Sequence, residues 1–221
     1  MPPGTPGGRP ENPRRAANSM RVHFFGDVHQ EYRLLSQMLE GVEAGPIIQV
    51  GDVGLGCPGA PDPEPGPLDF PSRFRFIRGN HDDPAVCRKH PSYLGDFGVH
   101  SETGVFFLSG GRTLDTHSRI VGWDLFPDEE LSRRQFDEAI SLYERVRPKI
   151  VVTHECPASA CDRLFHLRDK PSLTSLALDA MFEIHQPKMW VFGHHHVSLV
   201  KKYRETLFCC VGPNDFITAL V

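Results

Sequence analysis

Val22-His23-Phe24-Phe25-Gly26-Asp27-Val28-His29 is the stretch on which the fold of this chain turns. Residues 22–25 are mostly apolar and carry β-branched and aromatic side chains, in a run too short for a helix, so they predict a buried strand. Gly26 ends the run, and Asp27 and His29 follow two residues apart. In extended backbone, residues i and i+2 project to one side, so such a carboxylate and imidazole can grip one ion. Leu34, Leu35, Met38, Leu39 and Val42 then recur at helical spacing, which makes the unit a strand, a polar turn and a helix.

The same order of residue types recurs along the chain. Ile47, Ile48 and Val50 lead into Gly51-Asp52-Val53-Gly54, and Phe74 to Ile77 lead into Gly79-Asn80-His81-Asp82-Asp83. Ile150-Val151-Val152 lead into Thr153-His154-Glu155, and residues 189–192 lead into Gly193-His194-His195-His196. Phe136, Ile140, Tyr143 and Val146 predict a helix closed by Pro148, and the apolar residues from Leu173 to Ile184 predict another. Further strands are expected at 105–109, 119–123 and 207–211. Strands alternating with helices, then strands alone, predict a layered α/β fold with a mixed sheet or two packed sheets.

Ligands of such sheets bind where loops converge at strand ends, so five polar clusters can meet in one crevice. Their side chains offer carboxylate and amide oxygen and imidazole nitrogen but no thiolate, a donor set suited to Mn, Fe or Zn. The glycine that opens four of the five clusters lets the backbone leave its strand in conformations other residues resist and come close to an ion.

The rest of the composition mainly excludes. The 221 residues carry 24 basic and 28 acidic side chains, a net charge of −4, with no Lys/Arg stripe to track phosphates, so no nucleic-acid-binding patch is expected. Apolar runs such as Val105-Phe106-Phe107-Leu108 fall far short of the roughly 20 residues of a membrane span. No apolar segment follows Arg9, Arg14 and Arg15, so no secretory signal is expected and the chain is placed in the cytoplasm. Cys57, Cys87, Cys156, Cys161, Cys209 and Cys210 follow no paired C-x-x-C pattern and read as free thiols, in packing or at the surface. Residues 1–19 hold five Pro and three Gly, and residues 54–71 hold six Pro and four Gly. The expected organisation is therefore a disordered head over 1–19, for which Met20 is an alternative start, and one domain over 20–221. Within that domain the 54–71 loop insertion begins two residues after Asp52 and is read as a mobile rim of the site.

The ordered series GDVH, GDVG, GNHDD, TH and GHHH, spanning residues 26 to 196, resembles the calcineurin-like metallophosphoesterase superfamily, whose pattern reads GD-x-H, GD, GNH-[DE], H and GH-x-H. The resemblance implies an α/β/β/α fold with two packed mixed sheets flanked by helices. It also implies two divalent ions, Mn2+ first and Fe or Zn as alternatives. One would be held by Asp27, His29, Asp52 and His196, the other by Asp52, Asn80, His154 and His194, with Asp52 bridging. Two ions about 3.5–4 Å apart need a shared carboxylate against their repulsion and can hold a bridging hydroxide for in-line attack on phosphorus. His81 resembles the family's general acid, with Asp82 orienting its ring, and Arg78 is a candidate to touch a phosphate oxygen.

The implied activity is hydrolysis of a phosphodiester or a small phosphorylated molecule. A Ser/Thr protein phosphatase-like monoesterase is the alternative. Arg78-Gly79-Asn80-His81-Asp82 is similar to that branch, but Gly51-Asp52-Val53-Gly54 lacks its phosphate-binding arginine. A non-catalytic scaffold on the same fold is the alternative from another class. His195, between two ligand candidates, is expected to point away from them, and Asp83 to cap a helix before Pro84. Asp115 and His117 read as solvated hairpin residues. Trp123 and Asp124 are secondary candidates for the cleft.

Overall fold

The computed structural model describes residues 20–59, 70–166 and 170–221. The expected disordered head over 1–19 and residues 60–69 of the Pro/Gly-rich insertion lie outside the described residues. In chain order the elements begin with β1 (Arg21–Phe25), α1 (Tyr32–Gly41), β2 (Ile47–Gln49), β3 (Phe74–Phe76), the one-turn α2 (Pro84–Cys87), β4 (Phe97–Val99) and β5 (Phe106–Leu108). A 3-10 turn at Thr116–Ser118 precedes α3 (Arg133–Val146), β6 (Ile150–Thr153), α4 (Ala158–Phe165), α5 (Leu173–Ile184) and β7 (Met189–Phe192). The chain closes with β8 (Leu199–Tyr203), β9 (Thr206–Cys210) and β10 (Phe216–Leu220).

Two mixed sheets result. The first runs β10-β1-β2-β3, with β1, β2 and β3 parallel and β10 antiparallel to β1. The second runs β4-β5-β6-β7-β9-β8, parallel from β5 to β9 with an antiparallel strand on each edge. Because side chains alternate along a strand, adjacent residues feed different layers. Phe24, Ile48 and Val152 face the space between the sheets. Their neighbours Phe25 and Ile47 pack with Leu35 and Leu39 of α1 on the outer face of the first sheet. Val151 joins Phe136 and Tyr143 of α3 and Leu178 of α5 on the outer face of the second. The layers are therefore α/β/β/α, and strands covered on both faces explain why Ile47-Ile48 and Ile150-Val151-Val152 are apolar without interruption.

The sequence expectation fails at 119–123, which is a turn touching Leu125 through a single bridge at Val121. Ile120, Val121 and Trp123 are exposed there, so no sheet recruits their β propensity. Among the described residues no helix is long and apolar enough to cross a membrane.

Candidate metal centre and cleft

Parallel β1, β2 and β3 deliver Asp27, Asp52 and Asn80 to one edge of the first sheet. Parallel β6 and β7 deliver His154, His194 and His196 to the same edge of the second. Asp27, His29, Asp52 and His196 each offer a ligand atom, and these atoms all lie within 4.8 Å of one another. The Nε2 atoms of His29 and His196 are 2.8 Å apart. Beside them Asn80 Oδ1 stands 3.1 Å from His154 Nε2 and 3.0 Å from His194 Nδ1. Asp52 Oδ2 lies between the two groups, 3.3 Å from His154 Nε2 and 3.8 Å from His29 Nε2.

Surrounding bonds fix which atoms face inward. His154 Nδ1 is 3.0 Å from the Val50 carbonyl, which holds that nitrogen as the N–H and leaves Nε2 its lone pair. Asn80 Nδ2 donates to Thr113 Oγ1 and so turns its carbonyl oxygen to the centre. His29, Asp52, His194 and His196 have φ of 46°, 59°, 68° and 53°, a left-handed conformation that only a few per cent of non-glycine residues adopt and that costs energy. Here the structure corrects the sequence reading: the Asp27/His29 and His194/His196 pairs converge through left-handed backbone, not through extended chain.

The donor set fits divalent cations. Two buried carboxylates, Asp27 and Asp52, and several imidazole nitrogens face one another. Burial pushes the Asp52 carboxyl up, but His154, His81 and His29 outweigh it and hold it far below the usual carboxylate range. Burial opposes a charge on His154, yet the Asp52 carboxylate raises its pKa. The cluster thus draws positive charge to itself, and a cation is the form of charge that several facing lone pairs can share.

Two other expectations need correction. Asp82 does not orient the His81 ring. Its buried carboxylate accepts from the backbone N–H groups of Asp52 and Gly79 at 2.8 Å, Gly54 at 2.6 Å and Leu55 at 3.2 Å, tying the second and third loops together. Arg78 is not placed to touch substrate. Its side chain is fully buried, with Nε 3.4 Å from Asp96 Oδ1 and Nη1 donating to the Glu129 carbonyl, because the strand alternation that sends Ile77 between the sheets turns Arg78 into the protein. Asp83 caps α2 as expected, accepting from Ala85 and Val86 N–H. His195 points away from the centre, its ring stacked on Phe165.

Beside the centre lies a cleft of about 340 Å³ lined by His29, His81, His196, Cys57, Arg119 and Trp123, among others. His81 donates its backbone N–H to Asp52 Oδ1 at 2.7 Å. Its Nε2 lies 3.5 Å from Arg119 Nη2. Arg119 escaped the sequence reading. It is held by Asp115 at 2.9 Å and faces Asp124 at 3.6 Å, and the only trace of this in the sequence is the i,i+4 spacing of Asp115 and Arg119. Trp123 and Asp124 line the cleft, as does the near end of the insertion at Gly54, Cys57 and Pro58.

Several solved structures superpose on this chain. A Thermus thermophilus protein superposes with a TM-score of 0.53 at 12% identity, covering 91% of this chain and 99% of that one. The anchor in the inner membrane complex of Plasmodium superposes at 0.51 with 12% identity, over 89% of this chain and 72% of its own. The phosphopantetheinyl hydrolase of Mycobacterium tuberculosis gives 0.47 at 15% identity, over 87% and 89%. No curated protein matches the sequence. The calcineurin-like phosphoesterase model matches residues 20–198, a range that holds all five polar clusters. The chain belongs to the calcineurin-like phosphoesterase family.

Proposed function

We propose that this chain hydrolyses phosphoesters, a phosphodiester or a small phosphorylated molecule, at a dinuclear centre. Asp27, His29, Asp52 and His196 hold one divalent ion, and Asp52, Asn80, His154 and His194 hold the other. The observation that carries the reading is the position of Asp52 Oδ2 between His29 Nε2 and His154 Nε2, a carboxylate shared by two ligand groups. Divalent ions held there, Mn2+ first among the candidates, would supply an activated water as nucleophile and neutralise charge on the phosphoryl oxygens.

The chain's own residues do the rest. His81, facing the cleft, gives its Nε2 proton to the departing alkoxide oxygen. Arg119, steadied by Asp115, presents its guanidinium to a non-bridging phosphate oxygen, the task that buried Arg78 is not placed to perform. Asp82 holds the loops of Asp52 and Asn80 at a fixed separation through its backbone bonds.

The test is turnover of bis(p-nitrophenyl) phosphate beside p-nitrophenyl phosphate by metal-stripped protein restored with Mn2+. Turnover that needs Mn2+ and falls by at least about 10³-fold in Asp52→Asn is expected, since that substitution weakens both ion sites. A diester-to-monoester ratio above one supports the diesterase reading, and a ratio below one supports a protein phosphatase-like monoesterase. A chain that binds no Mn2+ and turns over neither ester is a scaffold on this fold.

A further inference from the structure

A second cavity, of about 420 Å³, opens beyond His194, and Arg112, Lys170 and Ser172 lie on its wall together with a side-chain cluster that the reaction does not use. Cys156 Sγ and Cys161 Sγ stand 3.8 and 3.7 Å from His195 Nε2, and the three atoms all lie within 4.8 Å of one another. They come from separate elements: the turn after β6, α4, and the loop after β7. The two neighbours of His195, His194 and His196, turn to the dinuclear centre, and His195 turns the other way. Its ring stacks on Phe165 at 4.4 Å and meets the Phe192 edge at 6.0 Å, so packing aims Nε2 at the two sulfurs. Cys210 is not part of the cluster, since its thiol donates to the Gly193 carbonyl.

We propose that Cys156, Cys161 and His195 form a separate mononuclear site for a thiophilic divalent ion, Zn2+ above all, with its fourth position open to the 420 Å³ cavity. Around a tetrahedral zinc with Zn–S of about 2.3 Å and Zn–N of about 2.0–2.1 Å, a sulfur and a nitrogen ligand sit about 3.5 Å apart. Both Cys–His pairs are within a few tenths of an ångström of that separation. A packed thiol also lies beside a ring without any ion, but two sulfurs from different elements converging on one aimed nitrogen is the arrangement of a binding site. Softness separates this site from its neighbour: two sulfurs and a nitrogen select Zn2+ or Cd2+, whereas the oxygen- and nitrogen-lined centre accepts Mn2+. Three protein ligands and an open position are the pattern of zinc sites that take a water or an exogenous ligand. The inference is independent of the phosphoesterase reading, because none of the three residues belongs to the dinuclear centre.

Cd2+ titration of the Mn2+-loaded chain under a non-thiol reductant tests it, read by thiolate-to-Cd2+ charge-transfer absorption. The dinuclear centre offers no sulfur, so the band reports cysteine ligation alone. A band that saturates at one Cd2+ per chain is expected, retained in Asp52→Asn and in Cys57→Ser. Loss of an outer partner already weakens metal sites by about 10–100-fold, so Cys161→Ser should shift the band to at least about tenfold higher Cd2+ or abolish it. Absence of the band in the unsubstituted chain, an unchanged titration in Cys161→Ser, or loss of the band in Cys57→Ser overturns the site.

Discussion

His81 Nε2, 3.5 Å from Arg119 and facing the cleft, makes leaving-group chemistry the sharpest probe of a single residue here. A general acid contributes about 10²–10⁴-fold, and most where the departing alkoxide is most basic. His81→Ala is therefore expected to slow alkyl and phenyl phosphoesters by that factor and p-nitrophenyl esters far less, with bound metal unchanged by elemental analysis. Equal slowing across the series sinks the acid role. Burial lowers the His81 pKa from the ordinary 6.5, with His29 and Arg119 adding to it against Asp52. The acid must be protonated to act, so turnover of poor leaving groups should fall as pH rises through that lowered pKa, and His81→Ala should lose this limb. The five polar clusters were legible in the sequence because metal chemistry restricts residue type and the strand-end pattern restricts order, while the choice of seven ligand candidates among them came from the family resemblance. Orientation was not legible. Arg78 and Asp82 adjoin the ligands in sequence, yet one turns into the protein and the other onto backbone N–H groups. Arg119 reaches the cleft from a turn held by its own ion pair with Asp115, which no motif marks.

At the scale of elements, the strand-end glycines matter more for closeness than for dihedral freedom. Of the glycines that open the polar loops, Gly51 has a φ of 103°, while Gly26, Gly79 and Gly193 do without a positive φ. A Cβ on Gly193 would land on Asp27 Oδ1 and come within 2.8 Å of Val50 Cγ2, and Asp27 is fully buried with no room to swing aside. Gly193→Ala should thus cost about 1–3 kcal/mol in urea unfolding, the usual range for overpacking. It should also weaken calorimetric Mn2+ binding at the Asp27 group. Gly41, at the end of α1 with open space around it, is the control: Gly41→Ala should be neutral or stabilising by up to about 1 kcal/mol. Full Mn2+ affinity in Gly193→Ala removes the steric explanation. Strand positions were readable from apolar runs bounded by glycine, but 119–123 shows the limit of that reading. Ile120 and Val121 have strand propensity and no neighbouring strand to pair with, and a propensity without a partner leaves a turn.

For the whole molecule, what the sequence withheld was how two separate sheets are brought to one site. Asp27, Asp52 and Asn80 follow strands of the first sheet, and His154, His194 and His196 follow strands of the second. The sheets otherwise meet through the apolar layer of Phe24, Ile48, Val152 and Val191, which is non-directional and sets no register at the polar edge. Ions shared across that edge, as proposed above, would therefore act as staples between the sheets, since they would bind the assembled edge and not the unfolded chain. Binding at 100 times Kd adds about 2.7 kcal/mol per site. In a chain of this length each kcal/mol moves Tm by about 2–4 °C. Mn2+ at that excess should thus raise the Tm of the chelator-stripped protein by about 5–10 °C for one site and by more for two, rising with Mn2+ concentration. In Asp52→Asn, whose shared carboxylate is gone, most of the rise should vanish. Metal-independent melting, with Mn2+ shown to be bound, would mean that the apolar layer alone fixes the sheets and that the ions serve chemistry without holding the fold.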